Sequence, residues 1–200
     1  MSKITYYFAT ISPYTYLAGT RLEKMAAATG AAIDYRPVDI MGLFARTGGT
    51  PPKDRHINRQ EWRIQELTRQ AKILAMPLNL RPAHWPTNMA PSSYAFISAK
   101  NHGSGGDLGA LAFAFCRACW AEDKDIAQPD VIAACLSDAG FDPSLADKDM
   151  IGAAEEYSRN LDDAVADGAF GAPFYVTQDG QRFWGQDRIN DLGLHLQGAL

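Results

Sequence analysis

The spacing of hydrophobic and polar positions changes several times along the 200-residue chain, and the changes mark its parts. Residues 4–8 are an apolar, aromatic run that predicts a strand. Residues 13–29 have helical spacing, Gly30 stops them, and 32–37 predict a second strand. Strand, helix and strand in this order form a crossover that should be right-handed, with the two strands parallel. Clear periodicity is lost from 38 to 50, and Thr47-Gly48-Gly49-Thr50-Pro51-Pro52 is a loop by composition. Helical spacing returns over 58–75, with Trp62, Leu67, Ile73 and Leu74 at apolar positions and Pro77 beyond. Residues 78–91 hold Pro82, Pro86 and Pro91 together with His84, Trp85 and Asn88, and loops of this kind are commonly held against a ligand pocket. Ser92 should cap a helix reaching 101, followed by a glycine turn at 102–107 and helices over 108–122, 129–139 and 144–166. From 168 the character changes again. A β-rich run to 177, a hairpin turn at 178–180, a short strand at 182–184 and a helix over 187–196 close the chain.

Composition narrows the function classes. At 46% apolar and 21% charged the chain is globular, of a length that suits one domain or one domain carrying an insertion. A net charge of −4 argues against nucleic acid and anionic membranes as partners. Lys and Arg are scattered apart from Arg55, Arg59, Arg63 and Arg69. The Arg59, Trp62, Arg63, Arg69 face could hold a carboxylate, but the expected reading is a solvated basic face. No apolar run approaches the ~20 residues of a membrane span. No signal-peptide pattern precedes the first strand, so a cytoplasmic location is expected.

Cys116, Cys119 and Cys135 cannot build a disulfide framework. Cys116 and Cys119 form a C-x-x-C, but inside an apolar helical run without a cap, whereas a redox pair needs its first Cys at a helix N-terminus. They are read as core cysteines. His56, His84, His102 and His195 show no metal spacing, and no metal is expected.

The candidate chemistry lies at Ser12-Pro13, where the first strand turns into the first helix. Ser fits the N-cap, Pro fits the first helical position, and the helix N-terminus favours an anion. By itself Ser12 reads as a plain cap. Pro173 reads as a strand-start proline and Asp187 as an acidic residue in the first turn of the last helix.

Taken together, the two ends give a β-α-β … β-β-α order, which is an α/β thioredoxin-like fold with a large all-helical insertion. The expected boundaries are 1–38 with 166–200 for the thioredoxin-like domain and 39–165 for the insertion. Four motifs in this order carry a family resemblance: Ser12-Pro13-Tyr14-x-Tyr16-Leu17, Trp85-Pro86-Thr87-Asn88, Phe170-Gly171-Ala172-Pro173 and Phe183-Trp184-Gly185-Gln186-Asp187-Arg188. Over nearly its whole length the chain resembles the glutathione-dependent 2-hydroxychromene-2-carboxylate isomerases, relatives of kappa-class glutathione transferases within the DsbA-like thioredoxin superfamily.

The resemblance implies a cis bond before Pro173, with the backbone of Ala172 pairing with the cysteinyl part of glutathione. It implies that the Gln186-Asp187-Arg188 segment receives the γ-glutamyl end, with Asp187 taking its ammonium. Ser12 stands where redox relatives carry the first cysteine of C-x-x-C, and Thr15 follows three residues on, so the reactive thiol is assigned to glutathione. Tyr14, Trp85 and Asn88 are the candidates to line the site of an aromatic acid. The implied reaction is addition of the glutathione thiolate to a ring-opened enone-pyruvate, bond rotation and expulsion of the thiolate. A homodimer is also implied.

The chain departs from the family pattern at Ala9, where an Asp is usual, at Trp62, where a Tyr is common, and at Phe174, where a small hydroxyl residue is frequent. These positions bear on which aromatic acid is taken. The competing readings are a kappa-like transferase, a non-catalytic thioredoxin-fold binding module, and a redox protein using Cys116 and Cys119.

Overall fold

A computed structural model describes residues 2–200. Four strands, β1 (Lys3–Phe8), β2 (Ala32–Pro37), β3 (Phe174–Thr177) and β4 (Arg182–Trp184), form one sheet in the order β2-β1-β3-β4. β1 and β2 are parallel, with Tyr6 opposite Tyr35, while β3 runs antiparallel to both β1 and β4. The central strand β1 is buried at Ile4, Tyr6, Tyr7 and Phe8, as a near-continuous apolar run covered on both faces should be. Ile4, Tyr6 and Phe8 share one face by the two-residue period of a strand. There Tyr6 stacks on Tyr175 at 5.2 Å, and Phe8 meets Phe96 edge-on at 4.9 Å. Tyr7 points the other way and donates to Asp167 at 2.7 Å.

The expected single helix over 13–29 is two helices, α1 (Pro13–Ala18) and α2 (Arg21–Thr29). Gly19 sits between them at φ +59°, a conformation that stops a helix and that a residue with a Cβ rarely adopts. Arg21 then donates to the carbonyls of Leu17 and Ala18, a cation on the C-terminal end of α1.

The stretch after β2, expected to lack periodicity, contains α3 (Ile40–Thr47). Asp39 caps it by accepting from Met41 and Gly42. α4 (Ile57–Ile73) matches the predicted helix closely. α5 (Ala90–His102) starts before Ser92, so Ser92 is not its cap. Instead its Oγ is buried 2.9 Å from Thr10 Oγ1, which leaves the helix start to the Asn88 side chain accepting from Ala90. α6 (Leu108–Trp120), α7 (Pro129–Asp138), α8 (Met150–Ala166) and α9 (Ile189–Leu196) follow. The predicted 144–166 helix is thus shortened at its start by a 3-10 turn over Pro143–Asp147. The last helix starts after Asp187 and Arg188, with Arg188 in the capping position. One apolar core runs from the sheet into α5, α6 and α7. Among the described residues no helix is long and apolar enough to cross a membrane.

Glu23 on α2 gives a test of this packing. Its Oε1 accepts from Tyr35 at 2.9 Å, but its Oε2 is buried without a partner. Burial therefore raises the carboxyl above its ordinary value, against the lowering effect of hydrogen bonds from its own backbone and from Tyr35. A raised folded pKa means a contribution that is whole below the unfolded value of 4.5 and is lost as pH rises through the folded value. Glu23→Gln should match the parent at pH 4 and be more stable by about 1 kcal/mol at pH 8, as read by urea unfolding across that range. A difference independent of pH would show that ionisation of Glu23 is not the cause.

Candidate active site

After β1 the backbone makes a tight turn, with the Ser12 N–H donating to Ala9 O at 2.9 Å. Ser12 is extended, at φ −85° and ψ 125°, and its Oγ accepts from Thr15 N at 3.2 Å, so it does cap α1. Its O–H in turn donates to Ala172 O at 3.2 Å. α1 has only six residues, so the anion-favouring field expected of a long helix is that of a short one. The Ser12 hydroxyl and the backbone beside it therefore carry more of the local chemistry than a helix dipole does.

The Ala172–Pro173 peptide is cis. The loop that carries it passes close to β4: a Cβ on Gly171 would come within 2.5 Å of Trp184 Nε1, so only glycine lets the loop and the indole approach this closely. Pro173 O accepts from Gly185 N at 3.0 Å, which ties the cis loop to the turn leading into α9. In that turn Gln186 is buried, and its side chain is fully engaged. It accepts from Arg21 and donates to Gln70 Oε1 at 3.1 Å, joining α2, α4 and the last turn. Its orientation is thus set by protein partners on both ends of the amide. Asp187 and Arg188 are exposed, and Arg188 pairs with Asp187 at 3.4 Å and with Asp191 at 3.0 Å.

The loop between α4 and α5 meets the turn that carries Ser12. Its Trp85–Pro86 peptide is also cis. Trp85 Nε1 donates to Ile11 O at 3.3 Å, and Trp120 Nε1, from α6, donates to the same oxygen at 3.1 Å. The two indoles are 5.7 Å apart. Trp120 is fully buried and Trp85 half-buried. Tyr14, also half-buried, has its phenol pushed up by burial, against the opposing pull of Arg63. Asn88 is exposed and spends its Oδ1 on α5. Ser12, Ala172, Pro173, Tyr14 and Trp85 thus gather around the end of β1, Asp187 and Arg188 stand at the rim, and Asn88 lies apart from them.

The basic face of α4 is not what the sequence predicts. Trp62 is 57% exposed, Arg59 is exposed and Arg69 pairs with Glu66, as on a solvated face, but Arg63 is only 9% exposed. The guanidinium of Arg63 lies 5.5 Å from the centre of the Trp85 ring and 5.9 Å from that of Trp120. The signal was present: Arg63, Leu67 and Ala71 follow at intervals of four and are the buried positions of α4. Trp120 was passed over for the opposite reason. In an apolar helix nothing in the sequence distinguishes an indole whose N–H has a target beside Ser12.

No cysteine competes with Ser12. Cys116, Cys119 and Cys135 are free and buried. Burial holds the Cys116 thiol well above its ordinary value and pushes Cys119 and Cys135 up to about 12, so all three stay protonated. Among the described residues no group of three or more His, Cys, Asp or Glu is placed to hold a metal ion. A groove of about 410 Å³ is lined by Thr68, Lys72 and Met76 among others, and Ser12 is not part of its lining.

The DSBA-like thioredoxin domain matches residues 3–197. The chain belongs to the DSBA-like thioredoxin family. Within that family it is similar to a 2-hydroxychromene-2-carboxylate isomerase of Sphingobium xenophagum, 29% identical, over 96% of this chain and 97% of that one. It is 26% identical to the Pseudomonas putida protein of the same name, over 93% of this chain and 90% of the other. A solved 2-hydroxychromene-2-carboxylate isomerase superposes with a TM-score of 0.80 at 24% identity, covering 98% of this chain and 95% of that one. The cytosolic disulfide reductase DsbM of Pseudomonas aeruginosa, solved with GSH, superposes with a TM-score of 0.71 at 16% identity, covering 98% of both chains. These likenesses agree on the DSBA-like fold: the strand order and the helical block between β2 and β3 are those the sequence implied.

Proposed function

We propose that this DSBA-like protein is a glutathione-dependent cis-trans isomerase of 2-hydroxychromene-2-carboxylate and related ring-opened aromatic acids, with Ser12 stabilising the glutathione thiolate. The observation that carries the reading is the contact between Ser12 Oγ and Ala172 O beside cis-Pro173, at a site without a thiol of its own. The names of the similar proteins support the reaction class.

A hydroxyl has one proton to give. Turned away from Ala172 O, the Ser12 O–H can donate to a thiolate, and a charged acceptor makes the stronger bond. The same turn frees Ala172 O to accept the cysteinyl N–H of glutathione. Asp187 at the rim takes the γ-glutamyl ammonium. The thiolate then adds to the conjugated carbon of the enone-pyruvate, forming a C–S bond as the double-bond electrons move into the pyruvate enolate. The former double bond rotates. Collapse of the enolate restores the double bond in the trans geometry and expels the thiolate, so glutathione returns unchanged. Holding both reactants beside Ser12 supplies the positioning. Tyr14, Trp85 and Asn88 are assigned to the aromatic acid. The buried, reduced cysteines suit a cytoplasmic setting, and the family resemblance favours a homodimer.

Calorimetric titration with glutathione, followed by turnover of a hydroxychromene carboxylate with free thiol counted before and after, tests the reading. Binding, a trans product and an unchanged thiol count are expected. Thiol consumed in step with product would make the protein a kappa-like transferase. No binding at millimolar glutathione would leave a thioredoxin-fold binding module.

A further inference from the structure

Arg63 is a buried cation without an anion. It is 9% exposed, and its side-chain partners among the described residues are the faces of Trp85 and Trp120. Glu61, two positions before Arg63, is exposed and does not share its side of the helix, and Glu66, three positions after it, is already bonded to Arg69 and Gln70. Burial and the neighbouring Arg55 both work against the charge of Arg63, and the Tyr14 phenol beside it, itself pushed up by burial, is neutral at neutral pH and supplies no anion. Arg55 is itself occupied, over the Phe44 ring and on Thr50 O. A guanidinium stays charged in a protein and presents its donors in a planar fork that matches a carboxylate. Both of its indole supports donate to Ile11 O, the residue before Ser12, so the fork is held beside the turn that carries Ser12.

We propose that Arg63 receives the carboxylate of the aromatic acid, whose rings lie against the accessible part of Trp85 and against Tyr14. The assignment rests on the proposed reaction for the identity of the acid, and on geometry alone for the binding of an aromatic carboxylate. It separates the two ligands along α4. Gln70, bonded to Gln186 next to Asp187, marks the end of α4 near the γ-glutamyl position. Arg63 lies two turns earlier, roughly 10 Å away along the axis. One cation for the acid and a separate hydroxyl for the thiolate would fix the reacting carbon between them.

The test titrates the intrinsic tryptophan fluorescence of the full chain, without glutathione, with 2-naphthoate and with 2-naphthamide, for wild type, Arg63→Lys and Arg63→Met. Wild type should bind the carboxylate about tenfold or more tightly than the amide, as one charge-assisted contact predicts. Arg63→Met should lose the preference, Arg63→Lys should keep part of it, and the glutathione affinity of both variants should stay within about twofold of wild type. Equal binding of acid and amide by wild type would overturn the proposal without any variant, and so would absence of naphthoate binding. A loss of glutathione affinity in Arg63→Met with the naphthoate preference intact would also overturn it, assigning the guanidinium to the tripeptide. Because the titration needs no turnover, an inactive protein that still prefers naphthoate through Arg63 would sink the reaction and leave the carboxylate site standing.

Discussion

Ser12→Ala is expected to lower kcat/KM about 10- to 100-fold and to move the acid limb of its pH profile upward by about one to two units. Both follow from one lost bond. A hydrogen bond to a charged acceptor is worth about 1.5–3 kcal/mol, and about 1.4 kcal/mol is a factor of ten. Removing that bond raises the pKa of bound glutathione, so less thiolate is present at neutral pH and the limb shifts with it. The variant also loses the cap on Thr15 N, at about 1 kcal/mol of stability, which is too little to unfold a domain of this size. Thiolate absorbance near neutral pH, measured with glutathione bound, reads the effect directly. An unchanged pH profile with lowered activity would mean that Ser12 only shapes the turn.

Trp120→Ala is expected to have the larger effect on folding, at about 3–5 kcal/mol, measured as a fall in the urea midpoint. The side chain is fully buried, packs on Trp85, and holds Ile11 O from within the core. Its loss opens a cavity under the Ser12 turn and removes one face beneath Arg63. Activity should therefore fall even at temperatures where the variant remains folded. Trp120→Phe separates the terms: it fills most of the volume but cannot donate to Ile11 O. A Phe variant with restored stability and low activity would assign the indole N–H to the site, whereas full activity would make Trp120 a packing residue alone.

Much of the fold is legible because its signals are local. The run over 4–8, the repeat over 58–75 and the hairpin turn at 178–180 each commit the chain within a few residues. The failures are local as well. Gly42 inside the helix and Gly48-Gly49 just after it obscure the Ile40, Leu43, Phe44, Thr47 spacing of α3, although Asp39 is a good cap. Gly19 was absorbed into a longer apparent helix because leucine and alanine on both sides kept the period. The site was legible wherever backbone chemistry dictates the residue, as at Ser12-Pro13 and Ala172-Pro173. It was less legible where a residue type suggests water but the geometry supplies shelter. Arg63 shares its face of α4 with Leu67 and Ala71, yet an arginine among arginines reads as surface. Gln186, expected to face a ligand, has its side chain locked between Arg21 and Gln70, a contact spanning 116 residues of chain that no local pattern carries.

The three sheltered thiols have a consequence for the proposed use of glutathione. A cell that supplies glutathione also supplies its oxidised dimer, and an exposed thiolate beside a glutathione site is a target for mixed-disulfide formation. Here the hydroxyl of Ser12 cannot exchange, and the cysteines are protonated and out of reach. Under the proposed use of glutathione, its oxidised form would compete for the site without being captured there, so oxidative stress would act on this protein as reversible inhibition rather than as a covalent switch.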